Sequence, residues 1–207
     1  MKRLLPLLGV AALLVAAPAF AQYVFLDTDS TGTCTSSDVL TSANTAVDIW
    51  YDSSHNANGS TATCPQDGSA TMSFNGYQII LHAAGSGSVT YNAFTDFTGF
   101  DLHLGPTGLG GSTDFVNAFV STSGVGLSPG LHKAGRVFIT VTGTPTLSIA
   151  TSTSLLPGAN TALSSDCLGS SFDNSLKLGV DFTDACGTAS PTPTKVTTWG
   201  AIKNLYK

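Results

Sequence analysis

Apolar and polar side chains alternate in short runs along this chain, and turn-forming residues separate the runs. Within residues 45–51, Val47, Ile49 and Tyr51 fall on one side, with Asp48 and Trp50 on the other. Within residues 77–83, Tyr77, Ile79 and Leu81 share a side. Phe100, Leu102 and Leu104 alternate with Asp101 and His103. Val137, Ile139 and Val141 form a further set, as do Leu147 with Ile149, and Leu176, Leu178, Val180 and Phe182. A period of two is the side-chain repeat of a β-strand, so each set predicts a core-facing side. Residues 23–26, 71–74, 88–91 and 115–120 are less regular strand candidates. About nine short strands between turn signals predict an all-β, antiparallel β-sandwich.

The two ends of the chain read differently. Residues 1–21 have the build of a secretory signal peptide: Lys2 and Arg3, an apolar run over 4–17, then Ala19-Phe20-Ala21 as an A-x-A cleavage signature. That run is short for a membrane span, and no later segment is long and apolar enough. The reading predicts export, either to the extracellular space or cell surface or to a periplasm. Residues 22–189 then form the sandwich domain, and 190–196 a Pro/Thr linker that opens "SPTPT". The tail at 197–207 predicts a short helix, capped by Thr198, that clusters Ile202, Leu205 and Tyr206. Such a tail could dock on the domain or mediate assembly or anchoring.

Charge sharpens the picture. All thirteen acidic residues are Asp, and between Gln22 and His132 there are nine of them and no Lys or Arg. The sequence therefore predicts that these carboxylates are solvated, hydrogen-bonded in turns or bound to cations rather than paired in salt bridges. Nucleic acid is excluded as a partner, since it needs a basic footprint. The "DTDSTGTCTSSD" stretch, residues 27–38, places Asp27, Asp29, Thr31, Gly32 and Asp38 at positions 1, 3, 5, 6 and 12 of an EF-hand-type calcium loop. In that register, oxygens at 1, 3, 5, 7 and 12 converge on one ion and glycine makes the sharp turn at 6. The predicted ligands are the side chains of Asp27, Asp29, Thr31 and Asp38 and the carbonyl of Thr33. Thr at position 5 and the short Asp at position 12 depart from the usual loop. The alternative is an Asp/Ser/Thr-rich turn that binds nothing. Asp52, Ser54, Asn56, Asn58 and Gly59 offer a second oxygen-rich turn with looser spacing.

Four cysteines in an exported chain predict disulfides. Three pairings are open, and Cys34–Cys64 with Cys167–Cys186 is favoured because each bond closes a local loop. Zinc is the competitor, but the spacings are wide and lack C-x-x-C. Catalytic signals are sparse. Asp101 and His103 share a strand side and could form an acid–base pair, yet no carboxylate pair is marked for glycoside hydrolysis and no G-x-S-x-G elbow occurs. "GPTGLGG" leads into no helix, so it is a turn rather than a phosphate loop. His55, His82 and His132 are scattered.

Residues 45–151 resemble a cohesin-type β-sandwich, of the superfamily shared with bacterial cellulose-binding modules. The resemblance rests on "VDIWYD", "GYQIILHAAGSGSVTYNAF" and "DFVNAFVSTSGVGLSPGLHKAGRVFITVTG", taken in that order. The preceding "FLDTDSTGTCTSSDVL" is similar to a dockerin calcium loop. A dockerin carries two loops, each followed by a helix, whereas "SANTAVDIW" here reads as turn then strand. The resemblance implies a non-catalytic extracellular module, with a jelly-roll sandwich, that binds a polysaccharide or a protein partner. A sugar-binding side would use Trp50, helped by Tyr77 or Tyr91. A structural surface-layer, fibre or adhesin subunit is the alternative, and a polysaccharide hydrolase the least supported reading.

Overall fold

The computed structural model describes residues 23–35, 38–55, 61, 73–123 and 125–164, and the backbone of 181–183. These residues form strands and irregular connections, without a helix. The eight strands are β1 Tyr23–Asp27, β2 Ala46–Asp52, β3 Gly76–Asp96, β4 Leu102–Thr107, β5 Asp114–Val120, β6 Leu131–Ile149, β7 Ala162–Ser164 and β8 Asp181–Thr183. They hydrogen-bond in the order β4-β5-β3-β6-β2-β1-β8, with β7 on the flank of β3. All pairings are antiparallel except β1 with β8. Among the described residues, no helix is long and apolar enough to cross a membrane. The leader, the linker and the tail at 197–207 lie outside the described residues.

Four of the alternating sets predicted from sequence face inward. Val47, Ile49 and Tyr51 of β2 meet Tyr77, Ile79 and Leu81 of β3, Val137, Ile139 and Val141 of β6, and Leu147 and Ile149, all in one buried cluster. Val24 and Leu26 of β1 and Phe115 of β5 join them. Aromatic rings fill the centre: Tyr51 lies 5.4 Å from both Phe74 and Tyr77, centroid to centroid. A smaller cluster of Ile80, Val116 and Ala159 sits against Ala150 and Leu155.

β3 and β6 each unite segments that the sequence presents as separate strands. β3 joins 77–83 to 88–91, and β6 joins 137–141 to 147–149. At about 3.3 Å per residue, a straight strand would hold Tyr77 and Asp96 roughly 60 Å apart. Instead the Tyr77 hydroxyl donates to Asp96 Oδ1 at 3.3 Å and reaches the Ala134 carbonyl at 3.4 Å. β3 therefore folds back on itself. Residues 76–82 pair with β5, residues 76–78 also with β7 and residues 81–96 with β6, and the two ends of the strand face each other across the core. Tyr51 ties the facing parts together by donating to the Gln78 carbonyl at 3.1 Å. The bend lies at residues 84–88 of β3, all exposed, opposite 142–146 of β6, where all but Pro145 are exposed.

Several expectations shift. The alternating set at Phe100–Leu104 contributes Leu102 and Leu104 to β4, but both are exposed; only Phe100 joins the core. Phe74 forms an isolated bridge with Leu127 instead of a strand, while Thr71 and Met72 lie outside the described residues. β7, three residues long, carries no periodic signal. β8 overlaps the end of the predicted 176–182 strand, whose earlier residues lie outside the described set.

One core residue breaks the pattern. Asn117 of β5 is fully buried, and among the described residues neither its amide nitrogen nor its oxygen has a hydrogen-bond partner. An unsatisfied buried polar group costs about 1–3 kcal/mol. Replacing Asn117 with Val, which also suits a strand, is expected to stabilise the fold by about 1–3 kcal/mol. The check is a higher denaturant midpoint at unchanged slope; a lower midpoint would show that the amide is satisfied in solution.

Candidate metal site

Asp27 ends β1, and the chain leaves the sheet there through six bends at 28–33. Its carboxylate organises that exit. Oδ1 accepts the backbone N–H groups of Asp29 at 3.1 Å and Ser30 at 2.6 Å, and Oδ2 accepts that of Gly32 at 2.7 Å. This is the local turn chemistry expected of Asp. Ser30, with φ of 62°, and Gly32, with φ of 73°, both sit in the left-handed region. A side chain on Gly32 would also press on the Trp50 ring, 3.1 Å from where its Cβ would be.

Asp38 closes the loop from its far end. Its Oδ1 accepts the Thr28 N–H at 2.8 Å and its Oδ2 the Thr35 N–H at 2.9 Å. Asp27 and Asp38 are fully buried, whereas Asp29 is exposed. One carboxylate oxygen from each of Asp27, Asp29 and Asp38 lies within 4.8 Å of the others. Calcium holds its oxygens at 2.3–2.6 Å, so two ligands of one ion lie at most about 5 Å apart. The three carboxylates therefore have a spacing that one calcium ion could span. Burial pushes the Asp27 carboxyl above its ordinary range; the Gly32 and Ser30 amides oppose this, and Asp29 and Asp38 add to it.

The other two predicted ligands turn toward each other. Thr31 Oγ1 lies 2.9 Å from Thr33 Oγ1 and donates to the Thr33 carbonyl at 3.3 Å. Cys34 is disulfide-bonded. Cys64, Cys167 and Cys186 lie outside the described residues, so the predicted pairings are not placed.

The expectation that no salt bridge reaches the early carboxylates is wrong for Asp48. Lys133 Nζ donates to its Oδ2 at 2.7 Å, and Arg136 grips it through Nε at 2.6 Å and Nη2 at 2.8 Å. These partners lie 85 and 88 residues along the chain, where a local count of charges does not look. A bulge in β6 brings both cations to the same carboxylate: Ile49 pairs with Gly135 but Trp50 with Lys133, leaving Ala134 over. The extra residue cancels the odd spacing of Lys133 and Arg136. Arg136 Nη2 also donates to Ser30 Oγ at 2.9 Å, which ties this ion-pair cluster to the candidate metal loop.

The predicted sugar-binding aromatics do not form a platform. Tyr77 and Tyr91 are fully buried, and burial is the main cause raising both phenols far above their ordinary range. Neither offers a ring face to a ligand. Trp50 is half-buried; its indole N–H donates to Asp27 Oδ2 at 3.1 Å, and its ring stacks on Phe25 at 6.4 Å. Trp50 thus braces the loop.

The second oxygen-rich turn is partly described. Asp52 Oδ1 accepts the N–H groups of Ser54 at 2.7 Å and His55 at 3.0 Å, and its Oδ2 lies 3.0 Å from His55 Nδ1; residues 56–60 lie outside the described set. The suggested acid–base pair has other engagements. Asp101 accepts the Thr122 hydroxyl and its N–H, the latter at 2.7 Å, and His103 stacks on Phe119. A His–Asp contact that the sequence does not signal joins β3 to β5 instead: His82 Nδ1 lies 2.6 Å from Asp114 Oδ1, and Thr153 donates to Asp114 Oδ2. The two residues are 32 positions apart and become neighbours only through strand register. Comparison with known proteins finds no family model, no curated protein and no solved structure that matches this chain.

Proposed function

We propose that this chain is an exported, non-catalytic binding module of cohesin or carbohydrate-binding type. In this reading it is a jelly-roll β-sandwich, stabilised by calcium and disulfides, that engages a partner outside the cytoplasm. The observation that carries the reading is the convergence of Asp27, Asp29 and Asp38, two of them buried, where the chain leaves β1. Calcium would hold a loop that otherwise keeps three carboxylates together. With Tyr77 and Tyr91 buried and Trp50 bracing the loop, a protein partner is favoured over a polysaccharide. The hydrolase reading is the weakest, since Asp101 and His103 are each engaged elsewhere.

Thermal melting in chelator and in 10 mM calcium tests the metal. Extracellular calcium modules bind at about 10⁻⁴–10⁻³ M, so saturation is expected to add about 1.4–2.7 kcal/mol. For a domain of this size that is an upward shift of about 3–10 °C. Replacing Asp27 and Asp29 by Asn should abolish the shift. An unchanged melting temperature in calcium would reduce the loop to a polar turn.

The alternative, a structural subunit of a surface layer, fibre or adhesin, draws on a different observation. β4 carries exposed Leu102 and Leu104 at the edge of the sheet.

A further inference from the structure

We infer that β4 is a self-association edge that pairs with β4 of a second copy of this chain. The inference is independent of calcium and concerns the opposite end of the strand order from the Asp27 loop. β4 ends that order, with β5 as its one partner among the described strands. An edge strand presents unpaired N–H and C=O groups that another strand can satisfy. Proteins usually blunt such edges with Lys or another charge, and β4 has no charged residue. Its two leucines remain in solvent, Leu102 at 45% and Leu104 at 64% exposure. Pairing with β5 sets them opposite Val120 and Ala118, so both leucines project on one side of the sheet.

The spacing points to a second copy rather than an unrelated strand. Two apolar residues flanking one central residue are their own complement in antiparallel pairing. A two-fold axis at His103 sets Leu102 of each copy directly against Leu104 of the other, giving two cross-strand leucine pairs on one side. The same axis sets Asp101 of each copy diagonal to His103 of the other, a carboxylate acceptor beside an imidazole that can donate an N–H. At the diagonal separation of about 7–8 Å, long side chains still reach each other. The two ends limit the ladder: Asp101 is tied to Thr122, and Pro106 has no N–H to offer. So short an interface falls below the size of stable complexes and predicts reversible association.

Sedimentation velocity on the oxidised protein, from about 10 to 500 μM, should show the average mass rising toward that of a dimer, with Kd on the order of 10⁻⁵–10⁻³ M. Leu104→Lys should weaken association at least tenfold. Leu156→Lys, at another exposed leucine, should leave it unchanged, and thermal melts should show that both variants are folded. His103→Cys should cross-link copies on oxidation, because paired strands bring facing Cα atoms within disulfide range; Leu156→Cys should not. A monomer at the highest concentration would overturn the inference. So would equal weakening by the two lysine variants, or association without the His103→Cys cross-link.

Discussion

Replacing Asp48 with Ala is expected to cost about 3–5 kcal/mol, because it strands two cations that share one buried anion. Asp48 is 1% exposed and takes three charge-assisted hydrogen bonds, from Lys133 and from both donors of the Arg136 fork. Such bonds are about twice as strong as neutral ones, and removing the anion leaves two neighbouring cations, at 21% and 30% side-chain exposure, only partly solvated. Asp48→Asn keeps the shape and some bonding and should cost less. Burial pushes the Asp48 carboxyl up, but the bonds and charges of Arg136 and Lys133 outweigh it and hold it below the usual range. An acid whose folded pKa is depressed adds stability above its unfolded pKa, near 3.9. That stability fades as pH falls through the folded value. The gap between wild type and Asp48→Ala should therefore be full at pH 7 and narrow below about pH 4. Urea titrations at both pH values measure it; a gap of under 1 kcal/mol at pH 7 would mean that the pair contributes little beyond offsetting its own desolvation.

The same cluster bears on the metal loop. Arg136 reaches Ser30, and Asp27 lies directly across from Asp48 in the pairing of β1 with β2. The three-carboxylate loop is thus anchored to the sheet by an arginine on one side and by Trp50 on the other. The calcium proposal and the Asp48 prediction separate cleanly, since Asp48→Ala should lower stability in chelator as well as in calcium.

What the sequence makes legible is the inward side of each strand. Val47, Ile49 and Tyr51 are in the core because period two survives wherever a strand is regular. The same alternation already placed Tyr77 on a core side, a better guide than its aromatic character. Where local irregularity carries the geometry, the reading fails. A bulge aligns Lys133 with Arg136 on Asp48, and no period predicts a bulge. The loop's Asp27, Asp29 and Asp38 were legible because their spacing is local. His82 with Asp114 was not, because only the register of β3 on β5 brings them together.

The glycines of β3 mislead in an instructive way, and they define the second large effect. "AAGSGS" looks like a turn between two strands, yet Ala84, Gly85, Ser86, Gly87 and Ser88 each keep a partner on β6. They form a bend inside a continuous ladder, as glycine does at sheet corners. Gly87 has φ of 147°, and a Cβ there would come within 2.1 Å of the Thr142 carbonyl oxygen. That oxygen belongs to the paired backbone and cannot swing aside as a side chain could. Gly87→Ala must therefore open the ladder or unbend the strand, and unbending separates Tyr77 from Asp96 and Ala134 across the core. Overpacking of this kind costs about 1–3 kcal/mol, and the left-handed conformation adds about 1–2 kcal/mol for a residue with a Cβ. The expected loss is about 2–5 kcal/mol. Ser86→Ala, one residue away and exposed, should stay within about 0.5 kcal/mol of wild type. Chemical denaturation of both variants reads the difference. If Gly87→Ala matched Ser86→Ala, β3 would not fold back through this bend, and the facing of its two ends would need another cause.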